Sequence, residues 1–218
     1  MKQEKLYPES GVELNPFISK HYDLIMNTFS FGKYRKFIHK AVADIGLKPT
    51  DSVLDLGCGT GRNSSLKLQY LNANGSITGI DLSNIMQEQF EKRFENEKRV
   101  SFSKQRIDVP FDLEKKFDVI FISFVLHGFP NPVREVIIEN IKRHLKPNGV
   151  LALLDFSEFD VKKMPSLHFK IFKAVECIYA FDYIERDWKK VFAAKGFTNF
   201  KENFYFKNYV RLLSMSIS

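Results

Sequence analysis

The apolar positions follow two periods along the chain. From Phe17 to Ile45 they recur at the spacing of one helix face, with Phe37, Ile38, Ala41, Val42 and Ile45 forming a stripe. Ser30-Phe31-Gly32 interrupts that stripe, so two helices with a joint are expected. Lys48-Pro49-Thr50-Asp51 ends the second, because proline disfavours helical geometry in the residue before it. Short continuous apolar runs then alternate with amphipathic stretches. Strands are expected at Val53–Leu56, Ser76–Ile80, Val100–Ile107, Phe117–Leu126 and Val150–Phe156. Helices are expected near Arg62–Tyr70, Ile85–Phe94 and Val133–Leu145. Strands apolar on both faces and separated by helices predict a parallel sheet covered on both sides.

Beyond Phe156 the rhythm changes. Leu167–Tyr179 reads as one apolar helix and Arg186–Ala194 as another, followed by strands at Phe197–Phe206 and Tyr209–Ser216. Only Lys207-Asn208 joins these strands, so they must be antiparallel, since a parallel pair needs a crossover of about a dozen residues. The expected organisation is a helical cover over residues 1–46 and a sheet domain over 47–218, both parts of one unit.

Composition narrows the class. With 44% hydrophobic and 27% charged residues in 218, the chain has globular proportions, which excludes disordered and collagen-like classes. The start, Met1-Lys2-Gln3-Glu4-Lys5, has no apolar segment, so no secretory signal is expected. No apolar run approaches the ~18 residues of a membrane helix, and a cytoplasmic protein is expected. Cys58 and Cys177 lie far apart with no CxxC pair, so no metal site or disulfide framework is expected. The net charge of +7 comes from scattered basic residues and permits attraction to nucleic acid, to the surface of a membrane or to an acidic substrate, but with no recognition domain in the sequence a nucleic-acid partner is the unfavoured reading. The 22 phenylalanines suit either an aromatic core or a pocket for a flat, greasy ligand.

The chemistry concentrates in Val53-Leu54-Asp55-Leu56-Gly57-Cys58-Gly59-Thr60-Gly61. Its G-x-G-x-G spacing lacks the third glycine of the usual dinucleotide fingerprint, and no P-loop lysine follows. Asp55, two residues before the first glycine, would repel a pyrophosphate and suits a cationic ligand. S-adenosylmethionine, with its sulfonium and ammonium, meets that requirement. Asp81, 20 residues after Gly61 at the end of the second strand, suits the two ribose hydroxyls. Asp108, after the third strand, suits an adenine amino group.

At these residues the chain resembles the class I S-adenosylmethionine-dependent methyltransferases. The resemblance rests on VLDLGCGTG, ITGIDLS, FDVIFISFVLHGF and LKPNGVLALLDFSEF in that order. It implies a seven-stranded sheet of order 3-2-1-4-5-7-6 with helices on both faces. It also implies S-adenosylmethionine as methyl donor, held by Asp55, Gly57, Cys58, Gly59, Asp81, Leu82, Met86, Asp108, Val109 and Ser123, with Tyr22 and Arg35 as lid residues. HYDLIMN followed by SFGKYR, and the LKPNG…LDFS stretch, are also similar to the ubiquinone/menaquinone-biosynthesis C-methyltransferases. Asp155 stands where that family usually has glutamate, and the segment from Ser157 to Arg186 is shorter.

Ile122-Ser123-Phe124-Val125 replaces the base-gripping Asn/Asp-Pro-Pro-Tyr of enzymes that methylate exocyclic amines, so a base N-methyltransferase is disfavoured. No carboxylate cluster suggests a magnesium-dependent enzyme, and no metal is expected. The expected activity is methyl transfer to a small aromatic or lipophilic molecule, for which a quinone precursor is one candidate. An RNA-modifying enzyme and a non-catalytic S-adenosylmethionine-binding protein are the alternatives. His127, just past the fourth strand, is the candidate catalytic base, with Tyr22 beside it. His168 and Glu176 lie on the apolar helix that would face the acceptor. Phe17 to Arg35 is expected to close over the bound methyl donor.

Overall fold

The structure is a computed structural model that describes Tyr7, Ser10 and residues 33–217. Tyr22, and with it most of the expected cover, lies outside the described residues. The elements are α1 (Lys33–Ile45), β1 (Ser52–Leu56), α2 (Arg62–Leu68), β2 (Ser76–Asp81), α3 (Asn84–Arg93), β3 (Val100–Lys104), β4 (Phe117–Ser123), α4 (Asn131–His144), β5 (Leu145–Phe156), α5 (Ser166–Val175), α6 (Ile178–Ile184), α7 (Trp188–Ala194), β6 (Phe197–Tyr205) and β7 (Val210–Ile217). Among the described residues, no helix is long and apolar enough to cross a membrane.

The seven strands pair in the order β3-β2-β1-β4-β5-β7-β6. β1 to β5 are parallel, while β7 runs antiparallel to both β5 and β6. Alternate side chains of each central strand enter different cores. Leu54, Ile120, Ile122, Leu151 and Leu153 pack with α4, α6 and α7, including the buried Trp188. Val53, Val119, Phe121, Ala152 and Leu154 pack on the other face with Phe37, Ile38, Ala41 and Val42 of α1. Covering on both faces is why these strands read as continuous apolar runs instead of alternating ones.

Several elements differ from their sequence pattern, among them β5, which begins at Leu145 instead of Val150. β3 ends at Lys104 and β4 at Ser123, shorter than the apolar runs that contain them. After Ser123 the chain turns through Phe124 (φ +52°) into a 3-10 turn at Leu126–Gly128. The apolar stretch expected as one helix from Leu167 to Tyr179 is broken: Glu176 and Cys177 are extended, with ψ of 148° and 165°. The apolar periodicity continues through that break, so nothing in the pattern marks it. The last helix begins at Trp188, capped by the Asp187 side chain, which accepts from the Lys190 amide at 3.1 Å.

Candidate functional site

Two clusters form at the carboxyl edge of the parallel strands, where ligands of open α/β sheets bind. The first is the glycine turn after β1. Gly57, Gly59 and Gly61 all have positive φ, at +69°, +54° and +77°. At Gly57 an added Cβ would lie 2.6 Å from Val125 Cγ2, and at Gly61 it would lie 2.6 Å from Phe94 Cε2. At Gly59 only Met86 Sδ comes within 4 Å, at 3.9 Å, so the backbone there borders open space. The Gly59 amide donates to Asp81 Oδ2 at 3.0 Å, and the Ser83 amide donates to Asp81 Oδ1 at 2.9 Å. Burial pushes the Asp81 carboxyl above its ordinary range, against the pull of these amides. Bare backbone at Gly59 beside a half-buried carboxylate fits a ligand with vicinal hydroxyls, and S-adenosylmethionine meets that description.

The other residues expected at this site fall into distinct environments. Leu82 and Val109 are exposed, and Met86 is buried beneath Gly59. The Ser123 hydroxyl accepts from Asn63 Nδ2 at 3.2 Å. Arg35 is an exposed residue of α1. Cys58 is buried, and burial drives its thiol pKa well up, so it is a packing residue.

Asp55 does not stand open to the cleft. It is 2% exposed, its carboxylate is 2.5 Å from Lys67 Nζ, and it accepts from the Ser64 hydroxyl. Lys67 is itself fully buried, with its ammonium 4.0 Å from the centre of the Phe121 ring. The expected match between Asp55 and a cationic ligand is replaced by an internal ion pair supporting the turn from below. Asp108 is likewise engaged: Tyr7 donates to it at 2.8 Å, and Arg106 grips it through Nε at 3.1 Å and Nη2 at 2.6 Å. Tyr7 also packs edge-on against Phe129, and Ser10 donates to the Gly128 carbonyl at 2.5 Å.

The second cluster surrounds His127. Its Nδ1 is 2.7 Å from Asp155 Oδ1, its amide donates to Asp155 Oδ2 at 3.2 Å, and its Nε2 is 3.4 Å from Glu176 Oε2. Asp155 lies at the end of β5, and Glu176 is delivered by the break between α5 and α6. Burial disfavours the imidazolium, but Asp155 and then Glu176 outweigh it, and the His127 pKa lies above the ordinary imidazole value. Burial raises Glu176.

Arg134 on α4 holds the turn that carries His127. Fully buried, it donates to the carbonyls of Leu126 at 3.2 Å, His127 at 3.2 Å and Tyr179 at 2.7 Å, and pairs with Asp182 at 2.5 Å. Sequence reasoning missed this clamp. The available signal was an arginine in register with Ile137, Ile138 and Ile141 on the apolar face of α4. It also missed Lys67 and the joining of Asp155 and Glu176 to opposite sides of one imidazole.

Beside this network lies a cleft of about 480 Å³, lined by Phe156, Phe159, Met164, His168, Phe172 and Tyr209, with Phe206 and Lys207 at its rim. The Phe156 ring is 5.0 Å from that of His127. The Phe172 carbonyl accepts from the Glu176 amide at 2.9 Å. His168 Nδ1 is buried without a hydrogen-bond partner among the described residues.

Comparison with known proteins bears on the fold and the family resemblance. Residues 53–149 match a family model described as a methyltransferase domain. The chain is 30% identical over 157 residues to the demethylmenaquinone methyltransferase of Staphylococcus aureus, a stretch covering 70% of this chain and 64% of that enzyme. The match therefore spans less than two thirds of that relative. Among solved structures, the chain is similar to a SAM-dependent methyltransferase from Aquifex aeolicus, with a TM-score of 0.61 and 21% identity over 83% of this chain and 89% of that one. It is also similar to the N-methyltransferase NodS from Bradyrhizobium japonicum in complex with S-adenosyl-L-homocysteine, with a TM-score of 0.59 and 16% identity over 86% and 87% of the two chains. At these identities the structural likenesses speak for the fold.

Proposed function

We propose that this chain is a class I S-adenosylmethionine-dependent methyltransferase, a reading supported by the matching methyltransferase-domain model and the similar proteins, and that it methylates a small, apolar aromatic molecule carrying an ionisable hydroxyl, of which a quinol precursor is the leading example. The observation that carries this reading is His127, held between Asp155 and Glu176 beside an aromatic cleft. The name of the Staphylococcus aureus relative points to the same acceptor class.

Gly59 brings bare backbone to the methyl donor, Gly57 lets the turn pack against Val125, and Asp81 accepts hydrogen bonds from the donor's ribose hydroxyls. When bound, S-adenosylmethionine supplies an already activated methyl group, which leaves the protein to align the acceptor, exclude water and handle a proton. The aromatic walls of the cleft bind and desolvate a flat ring, and His168 Nδ1 offers a hydrogen bond to a polar ring substituent. His127 accepts the hydroxyl proton, which makes the oxygen or the conjugated ring carbon a better nucleophile. Asp155 fixes the orientation of the imidazole and stabilises its charged form.

Asp81→Ala is expected to weaken S-adenosylhomocysteine binding by roughly 10–100-fold, from the ~1.5–3 kcal/mol of a hydrogen bond to a charged group. Calorimetry on the folded variant measures this, and unchanged affinity would remove Asp81 from the site. For the acceptor, cell extract is incubated with the protein and isotopically labelled methyl donor, then analysed by mass spectrometry. The expected product is a labelled apolar aromatic compound. Labelled RNA would support the nucleic-acid reading, and donor binding without any labelled product would support a non-catalytic binding protein.

A further inference from the structure

The rim of the aromatic cleft has its own chemistry. Phe206, Lys207 and Asn208, which join β6 to β7, have φ of +49°, +55° and +69°. Left-handed backbone is unfavourable for residues with a Cβ, and three in succession are normally avoided. Here the two strands return through this tip with Phe206 46% exposed and Lys207 exposed beside it. The Phe206 ring is seated at 4.8 Å against Phe37 of α1, so the tip is anchored and not a loose loop. The 3-10 turn Val161–Lys163 carries two further exposed lysines, Lys162 and Lys163, immediately before the cleft-lining Met164. The nearby acid is Asp160, whose Oδ2 lies 3.9 Å from Lys163 Nζ and whose Oδ1 accepts from the Lys162 amide. Glu158 is already committed to Arg211. The rim is therefore net positive, with a half-exposed aromatic residue and an open apolar cleft beside it.

We propose that this rim docks on an anionic phospholipid bilayer, Phe206 entering the interfacial region while Lys207, Lys162 and Lys163 meet lipid phosphates. A lipophilic acceptor then passes from the bilayer into the cleft without crossing water. The charge pattern selects this partner: exposed lysines flanking an apolar entrance complement a negative surface over apolar chains. The proposal rests on the reading of the cleft as the acceptor site, and adds where the acceptor is collected.

The test is co-sedimentation of the full chain with vesicles of phosphatidylcholine alone and of phosphatidylcholine containing phosphatidylglycerol. Binding is expected to the second and to be at least tenfold weaker to the first. It is expected to fall steeply at high salt, where screening shortens the reach of the lysines. Lys162→Glu with Lys163→Glu, and separately Phe206→Ser, should each reduce binding to the anionic vesicles by about tenfold or more. S-adenosylhomocysteine affinity, measured on the same preparations, reports an intact fold. Wild-type protein that ignores anionic vesicles, or binds both compositions equally and regardless of these substitutions, overturns the docking surface. Occupancy of the cleft is followed independently by chemical-shift changes at His168, which lines it, on adding 1,4-naphthohydroquinone. A cleft that binds this probe in a protein that ignores vesicles therefore leaves the acceptor reading standing and rejects only the docking.

Discussion

His127→Ala is expected to lower turnover by roughly 10²–10⁴, the span associated with loss of a positioned acid–base group, while S-adenosylhomocysteine affinity stays within a few-fold. The two effects separate because His127 belongs to the β4–β5 cluster, with Asp155 and Glu176, and not to the glycine turn. The pH dependence carries a second signature. A base works in its neutral form, so wild-type kcat/KM should rise with pH through the elevated His127 pKa and level off above it. Glu176→Gln removes one of the two anions that raise this pKa, and should move that rise to lower pH. Stability runs in the opposite direction. A histidine whose pKa is raised on folding contributes stability that is fully present below its unfolded value of about 6.5 and is lost as pH rises through the folded value. His127→Ala should therefore cost more stability at pH 5.5 than at pH 8.5. Unimpaired turnover of a stable His127→Ala protein on the labelled acceptor would reject the assignment and turn attention to Tyr22 or Asp155.

Lys67→Met is expected to destabilise the fold by about 3–5 kcal/mol, the cost of leaving one partner of a buried ion pair without the other. For a chain of this size that is a fall of roughly 6–20 °C in Tm. The expectation follows from Lys67 and Asp55 both being buried, 2.5 Å apart, in the core under α1 and α2. The double variant Lys67→Met/Asp55→Asn should recover most of the loss, because a neutral amide still accepts from Ser64 and no isolated charge remains. Since the pair supports the glycine turn, S-adenosylhomocysteine affinity should fall in the single variant and return in the double. Thermal melts and calorimetry on the three proteins test this directly. Equal stability of wild type and Lys67→Met would mean that the pair is a bystander.

The parallel pairing of the first strands, the antiparallel pair at the end and the glycine turn were readable from the chain's own pattern, whereas the sheet order came only with the family resemblance. Burial on both faces leaves continuous apolar runs, a two-residue connection forces antiparallel pairing, and positive φ at close-approach positions demands glycine. Asp81 was readable for the same reason: its place at a strand end follows from local pattern. Element ends were less legible. Val125 and Leu126 are as apolar as the strand before them, yet they leave the sheet through Phe124. The break at Glu176 lies inside an unbroken apolar period.

What the sequence determined by itself is thus the parallel strands, the glycine turn and the nomination of His127, because each depends on neighbours within a few residues or on a period that repeats. What tertiary structure decided is the charge state of the site. Asp55 has the sequence position of a ligand-binding acid, but Lys67, twelve residues on, takes its charge inside the core. Asp155 and Glu176, 28 and 49 residues beyond His127, converge on one imidazole only because β5 lies beside β4 and a helix breaks opposite them. Coulomb energies depend on distances in space and on the water excluded between the charges, and neither quantity is written in the spacing of residues along a chain.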